Sequence, residues 1–299
     1  MSGGDALRRF MFEDFPVRGQ LVRLEDSWRE VLARQEYPPA VRSLLGEAMA
    51  ACVLLASTLK FDGLLTMQIQ GEGVLSLLVV QCSSDLAVRG LAKWEGDDPQ
   101  GSLAELTGHG RLAITIERRS GRERYQGIVL ADTDTLASCL DGYFAQSEQL
   151  PTRLWLAADG SGAAGMLLQQ LPVGESRAEE DTDGDADGWQ RVGLLGDTLT
   201  AEELLGLEPR QLLRRLFHED DLRLADERAV SFRCSCTRDR VESALRLLGR
   251  DELDELLAGE GRIEVRCEFC NAAYELDRVD VARLLADQDA VPPQSDRLH

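Results

Sequence analysis

The feature that most constrains this chain is a pair of cysteine knuckles near its C-terminus. Cys234-x-Cys236 and Cys267-x-x-Cys270 are separated by thirty residues. A tetrahedral metal site needs two such pairs, because each tight turn supplies two ligands and the fold brings the turns together. Four thiolates select zinc or an iron–sulfur cluster over magnesium or calcium. The spacing differs from that of cluster motifs, which favours zinc. The competing reading, four ordinary buried cysteines, fits poorly with four of seven cysteines falling in two knuckles. Cys52, Cys82 and Cys139 each stand alone in an apolar run and read as small core residues.

The metal matters energetically. The unit expected from Val230 to Asp287 carries only Phe232, Phe269 and Tyr274 as aromatics, so its own core should be marginal. A structural zinc ion is worth about 10–16 kcal/mol, against roughly 5–15 kcal/mol for the stability of a whole domain. Losing the ion should unfold the unit. Oxidation would cause that loss, since a disulfide sulfur cannot serve as a thiolate ligand. Cys267 and Cys270 have ordinary dithiol spacing, whereas a disulfide between the closer Cys234 and Cys236 would be strained and easily reduced. Arg233, Arg238, Arg240 and Arg266 flank the thiols and should favour the reactive thiolate, opposed by Asp239, Glu264 and Glu268.

Charge narrows the partners. A net charge of −20 and a pI near 4.6 repel phosphate backbones and anionic lipid, so neither nucleic acid nor a membrane is expected as a partner. Apolar residues at 43% and charged residues at 29% fit a soluble globular protein of about two domains. No secretory signal follows Arg8 and Arg9, and the odd cysteine count suits a reducing, cytoplasmic compartment. The most apolar stretch, Ala48 to Leu59, reads as a core helix too short to cross a bilayer.

The fold class expected is α+β. Leu65, Met67 and Ile69 alternate with polar residues, and Gly71-Glu72-Gly73 turns into the apolar run Val74 to Val80, a hairpin signal. Leu112, Ile114 and Ile116 lead through Ser120-Gly121 to Tyr125 and Ile128–Leu130 in the same way. Ser27 can cap a helix from Trp28, Pro38 or Pro39 can open the next, and Leu136, Leu140, Tyr143 and Phe144 have helical spacing. These signals predict an N-terminal domain over 1–173, its largely antiparallel sheet flanked by helices.

An acidic loop and helical linker region should occupy 174–229. Gly174 to Gly188 lacks apolar periodicity. Thr200-Ala201-Glu202-Glu203 fits a capping box, and Leu212, Leu213, Leu216 and Phe217 form a stripe after Pro209. Such short helices must pack on the first domain, the last, or a partner. A small four-cysteine zinc-binding domain over 230–287 and a disordered tail over 288–299 complete the chain.

No enzyme active site is expected. His109 and His218 sit in no triad or metal spacing, and Gly71–Gly73 and Gly108–Gly110 lack the helix start a phosphate loop requires. Two rival functions have sequence arguments against them. A zinc ribbon docking nucleic acid conflicts with the charge, and a thiol–disulfide oxidoreductase using Cys267 and Cys270 lacks a thioredoxin-like βαβ context.

The cysteine pattern resembles that of the heat shock protein 33 family of redox-regulated holdase chaperones. Arg9-Phe10-Met11-Phe12-Glu13-Asp14, Tyr143-Phe144-Ala145-Gln146-Ser147-Glu148-Gln149-Leu150-Pro151-Thr152, Leu216-Phe217-His218-Glu219 and Cys267-Glu268-Phe269-Cys270 resemble family segments in family order, from about Phe10 to Asp277. The resemblance implies one Zn2+ per chain in the reduced state, held by Cys234, Cys236, Cys267 and Cys270, with the chaperone inactive. It implies that hypochlorite, or peroxide with heat, forms two disulfides, Cys234–Cys236 and Cys267–Cys270, with zinc release and unfolding of the C-terminal region and linker. The exposed apolar surface would then hold unfolding client proteins without ATP. The active form would be a homodimer.

Overall fold

The computed structural model describes residues 4–120, 124–147, 150–172 and 183–289. The chain divides between Arg233 and Cys234 into two compact units. The first opens with β1 (Ala6–Phe12), β2 (Val17–Leu24), α1 (Asp26–Leu32) and α2 (Pro39–Thr58). Next come β3 (Gly63–Gln70), β4 (Leu75–Ser83), β5 (Ala87–Trp94), α3 (Leu103–Thr107), β6 (Arg111–Arg118), β7 (Arg124–Leu130) and α4 (Leu136–Ser147). It closes with β8 (Thr152–Ala158), β9 (Ala163–Gln170), α5 (Asp183–Gly196), α6 (Ala201–Gly206), α7 (Pro209–Leu216), β10 (Leu222–Leu224), β11 (Arg228–Ala229) and β12 (Ser231–Phe232). The second unit contains α8 (Arg238–Leu245), α9 (Arg250–Glu260), β13 (Arg262–Arg266), β14 (Ala273–Asp277) and α10 (Arg278–Asp289).

The α+β class holds, with two six-stranded sheets in the first unit in place of one. The first has the order β10-β1-β2-β9-β8, with β11 also on β1; the second runs β12-β5-β4-β3-β6-β7. Among the described residues all strand pairings are antiparallel except β12 beside β5. Both expected hairpins form, with Met67 opposite Val80 and Ile114 opposite Gly127. Leu65, Met67 and Ile69 are fully buried, as their alternation requires. Gly71 is needed at the first turn, since a Cβ there would lie 1.9 Å from the carbonyl oxygen of Thr107.

Between the sheets runs α2, opened by Pro39. Leu7, Val22 and Leu167 from one sheet and Leu65, Met67 and Val80 from the other share a core with its Ala48–Ala56 segment. Its apolarity all round follows from burial on all sides. With 20 residues it is longer than the Ala48–Leu59 stretch suggested, and among the described residues it is the one helix with the length and hydropathy to cross a membrane. The length argument therefore fails for this helix, and its burial is what accounts for its composition.

The far face of the first sheet is covered by α5–α7. Phe10, Phe12, Val17, Met166 and Leu168 pack there with Val192, Leu204, Leu212, Leu213, Leu216 and Phe217. The rings of Phe12 and Phe15 stack at 4.7 Å, and Phe217 meets Phe12 edge-on at 5.1 Å. Of the three packing partners open to these helices, the structure selects the first unit. Helix α5 begins at Asp183, so residues 183–188 are helical where a loop was expected, and Val192 anchors the helix in the core. The remainder of the acidic segment, 174–182, lies outside the described residues.

Two local expectations divide. Thr200 and Glu203 form the capping box on α6. Ser27, however, does not cap α1: the carboxylate of Asp5 accepts from the backbone N–H groups of Glu25, Asp26 and Ser27 at 2.6, 2.8 and 2.6 Å. The boundary before the last unit also falls later than Val230. Val230 is buried in the first core and Ser231–Phe232 pairs with β5, which ties this segment to the first unit. At the other end, α10 continues to Asp289, past the expected tail start, and 290–299 lie outside the described residues.

Candidate metal centre

The knuckles are shaped by short-range structure within the second unit. The Cys267 N–H donates to the Ala272 carbonyl (2.9 Å), and the Asn271 N–H donates to the Cys267 carbonyl (2.8 Å), closing a turn between β13 and β14. Asn271 adopts a left-handed φ of 58°, a conformation asparagine tolerates better than most residues. The other knuckle immediately precedes α8, whose N-cap Thr237 accepts from the Arg240 N–H (3.3 Å). A helix start and a hairpin turn thus hold the two pairs.

All four cysteines are unbridged and half-buried, and their Sγ atoms lie within 4.8 Å of one another. Cys234 and Cys267 sulfurs are 3.6 Å apart, and those of Cys236 and Cys270 3.3 Å. A zinc tetrahedron with bonds of about 2.3 Å has edges of about 3.8 Å, so this donor set fits a single ion. The four sulfurs could hold one metal ion. Among the described residues no second group of three or more His, Cys, Asp or Glu side chains converges in this way.

Electrostatics around the site differ from the sequence expectation. The Cys267 thiol is raised above its ordinary value, chiefly by burial, and Cys270 is pushed up to about 12 by burial and then by its sulfur neighbours. The flanking arginines do not reverse this. Arg238 is engaged by Glu242 (2.9 Å) and Asp280 (2.6 Å), Arg266 by Glu264 (2.6 Å), and Arg240 donates to Ser235 Oγ (2.6 Å). Arg233 pairs with Asp85 in the first unit. Guanidiniums already engaged by other partners lend little charge to a neighbouring sulfur, and burial holds Cys267 and Cys270 toward the thiol. A divalent cation bound among the four sulfurs would favour their thiolate form.

One participant was missed in the sequence. The Tyr274 hydroxyl donates to Cys236 Sγ at 3.2 Å, and this bond pushes its own ionisation up to about 12. Tyr274 read only as a core aromatic, and nothing in its local sequence marks it as a partner for sulfur. Pairing of β14 with β13, which sets Tyr274 opposite Val265, places it there. The three remaining cysteines match their expectation. Cys52, Cys82 and Cys139 are buried, and burial raises all three thiols, to about 12 for Cys82 and about 11 for Cys139. His109 sits in the turn after α3 with a φ of 57°, and His218 is exposed beside Glu219.

Comparison with known proteins matches the chain to the Hsp33 protein family over residues 5–277. It is similar to the 33 kDa chaperonin of Nitrosococcus oceani, 48% identical over 297 residues, covering 99% of this chain and 100% of the relative. The 33 kDa chaperonin of Azotobacter vinelandii is 47% identical over 300 residues, with 99% and 100% covered. Among solved structures, the 33 kDa chaperonin (heat shock protein 33 homolog) of Thermotoga maritima superposes with a TM-score of 0.78 at 23% identity, covering 96% of this chain and 99% of that one. At that identity the likeness speaks for the fold.

Proposed function

The chain belongs to the Hsp33 protein family, and from that premise we propose that it is a cytoplasmic, ATP-independent holdase chaperone whose activity is switched by the redox state of Cys234, Cys236, Cys267 and Cys270. Membership of a family of 33 kDa chaperonins supports the chaperone activity. The observation that carries the switch is the convergence of four sulfurs within 4.8 Å in a unit whose own core is small. When bound there, zinc would supply the charge that keeps the sulfurs as thiolates and the bonds that tie α8 to the hairpin.

Oxidation removes all four ligands. Each disulfide would form as two thiolates give up two electrons to the oxidant, which takes two protons from solvent, hypochlorite leaving as chloride and one water and peroxide as two waters. The pairing Cys234–Cys236 and Cys267–Cys270 follows the family likeness; proximity alone does not choose it, since every pair of sulfurs lies within 4.8 Å. With its ligands gone the second unit unfolds. Unfolding that spreads into α5–α7 would uncover Phe10, Phe12 and Met166 on the far face of the first sheet, an apolar surface suited to unfolding clients. The active form is a homodimer in this reading, and the reaction turns over no substrate.

The test is oxidation of the zinc-loaded protein at raised temperature. Expected together are the loss of four free thiols, zinc release to a chromogenic chelator and suppression of a client's aggregation, with the disulfides mapped by mass spectrometry. Full holdase activity with zinc still bound would sink the proposal.

A further inference from the structure

The face of the first sheet that α2 crosses changes character where the helix ends. Directly paired residues of antiparallel strands share a face. Leu7 opposite Val22, and Leu154 opposite Leu167, lie in the core under α2. Toward the helix's C-terminal end at Thr58 the rows become Arg9 opposite Gln20, Met11 opposite Arg18, and Arg18 opposite Gln169. Two further arginines join this face from the edge: Arg223 opposite Met11 and Arg228 opposite Leu7. We propose that Arg9, Arg18, Arg223 and Arg228 form a binding site for a multiply charged phosphoryl anion.

Among the described residues, the acceptors these side chains meet are neutral. Arg9 donates to the Ser57 carbonyl (2.5 Å), and its Nε is buried with no acceptor. Arg18 Nε donates to Gln169 Oε1 (2.9 Å), Arg228 to the Ser84 carbonyl (3.3 Å), and Arg223 to the Met11 sulfur (3.4 Å). Among the described residues none of the four makes an ion pair, although the chain has 53 acidic against 33 basic residues and Arg8, Arg153, Arg191, Arg215 and Arg233 each have a carboxylate.

The bland alternative is that these arginines serve the end of α2. That end carries only about half a negative charge, which one guanidinium satisfies. Arg9 fills that role through Ser57. The cluster's positive charge remains in excess, and its members feel one another: Arg9 and Arg18 are both held below the usual arginine range, first by burial and then by repulsion from Arg228 and Arg9 respectively. Planar guanidinium forks match the oxygens of a phosphoryl group, and several charges on one ligand answer several on the site.

The experiment titrates the reduced, zinc-loaded full chain with inorganic phosphate, pyrophosphate and tripolyphosphate at constant ionic strength set by KCl, using calorimetry. Affinity should rise along that series. Arg18→Gln and Arg228→Gln should each weaken tripolyphosphate binding about tenfold. Arg210→Gln, an exposed site on α7, should leave it unchanged. Arg9 is spared because it also caps α2, and the exposed Arg223→Gln keeps the test alive if the inner variants unfold. Zinc content measured after titration separates binding at the arginines from chelation at the cysteines. No heat beyond that of KCl, or binding that survives Arg18→Gln, Arg223→Gln and Arg228→Gln, would overturn the assignment.

Discussion

The two units solve the problem of burial differently. The first encloses α2 between two sheets and then covers the outer face of one sheet with α5–α7, so it has two apolar cores that include Trp28, Phe10, Phe12 and Phe217. The second has a single core of aliphatic residues: Leu245, Leu253, Leu257, Ile263, Leu276, Val281, Leu284 and Leu285. Its hairpin is buried at one end, where Ile263 opposes Leu276, and carries the cysteine turn at the other, beyond Arg266 opposite Ala273. Small cores leave little excess over chain entropy, and a metal site is a common supplement. The four converging cysteines thus sit in the unit with the smaller apolar core, where a bound ion would add most to stability.

The largest effect is expected from removing the zinc proposed at the four cysteines. Chelation under reducing conditions, or Cys267→Ser, should take away about 10–16 kcal/mol of apparent stabilisation. Hydrogen exchange should then show loss of amide protection across α8–α10 and the β13–β14 hairpin, with β3, β4 and β6 unchanged. Retained protection in the second unit would show that its aliphatic core suffices.

A matched pair of core truncations sharpens the point. Leu54 in α2 and Leu253 in α9 are both fully buried. Leu→Ala at either should cost about 2–5 kcal/mol. In the first unit the loss should appear as a lower melting temperature of a still cooperative transition. In the second, Leu253→Ala should leave a unit that folds with zinc and not without it, read by circular dichroism with and without chelator.

The smallest effect belongs to the first unit alone. Burial raises the Glu47 carboxyl from the ordinary 4.5 to about 7, offset in part by a hydrogen bond from Ser43. A carboxyl whose folded value is raised favours the native state while protonated in both states, below about 4.5, and this advantage is lost as pH climbs toward 7. Glu47→Gln should therefore remove about 2 kcal/mol of pH-dependent destabilisation at neutral pH, allowing for its partial exposure. Denaturant melts of the two proteins between pH 4.5 and 8 should converge at the acid end and separate toward neutrality, with no change in zinc retention.

Much of this molecule was legible in short-range pattern. The alternation at Leu65, Met67 and Ile69, the Thr200–Glu203 capping box and the two cysteine knuckles are relations between residues at most a few positions apart, where backbone geometry alone dictates who meets whom. Local pattern also identified the four candidate ligands, because a knuckle is itself a local structure.

The tertiary structure decided what depends on distant segments. Asp5 caps α1 from beside a neighbouring strand, Tyr274 reaches Cys236 through hairpin pairing, and the arginines beside the knuckles are occupied by Glu242, Asp280, Glu264 and Asp85. The covering of Phe10 and Phe12 by α5–α7, and the crowding of Arg9, Arg18, Arg223 and Arg228 onto one face, arise from strand pairings between the two ends of the first unit. Charge and hydrogen-bond partners are set by position in space, and residues as far apart in the chain as Met11 and Arg223 become neighbours only when the sheet has formed.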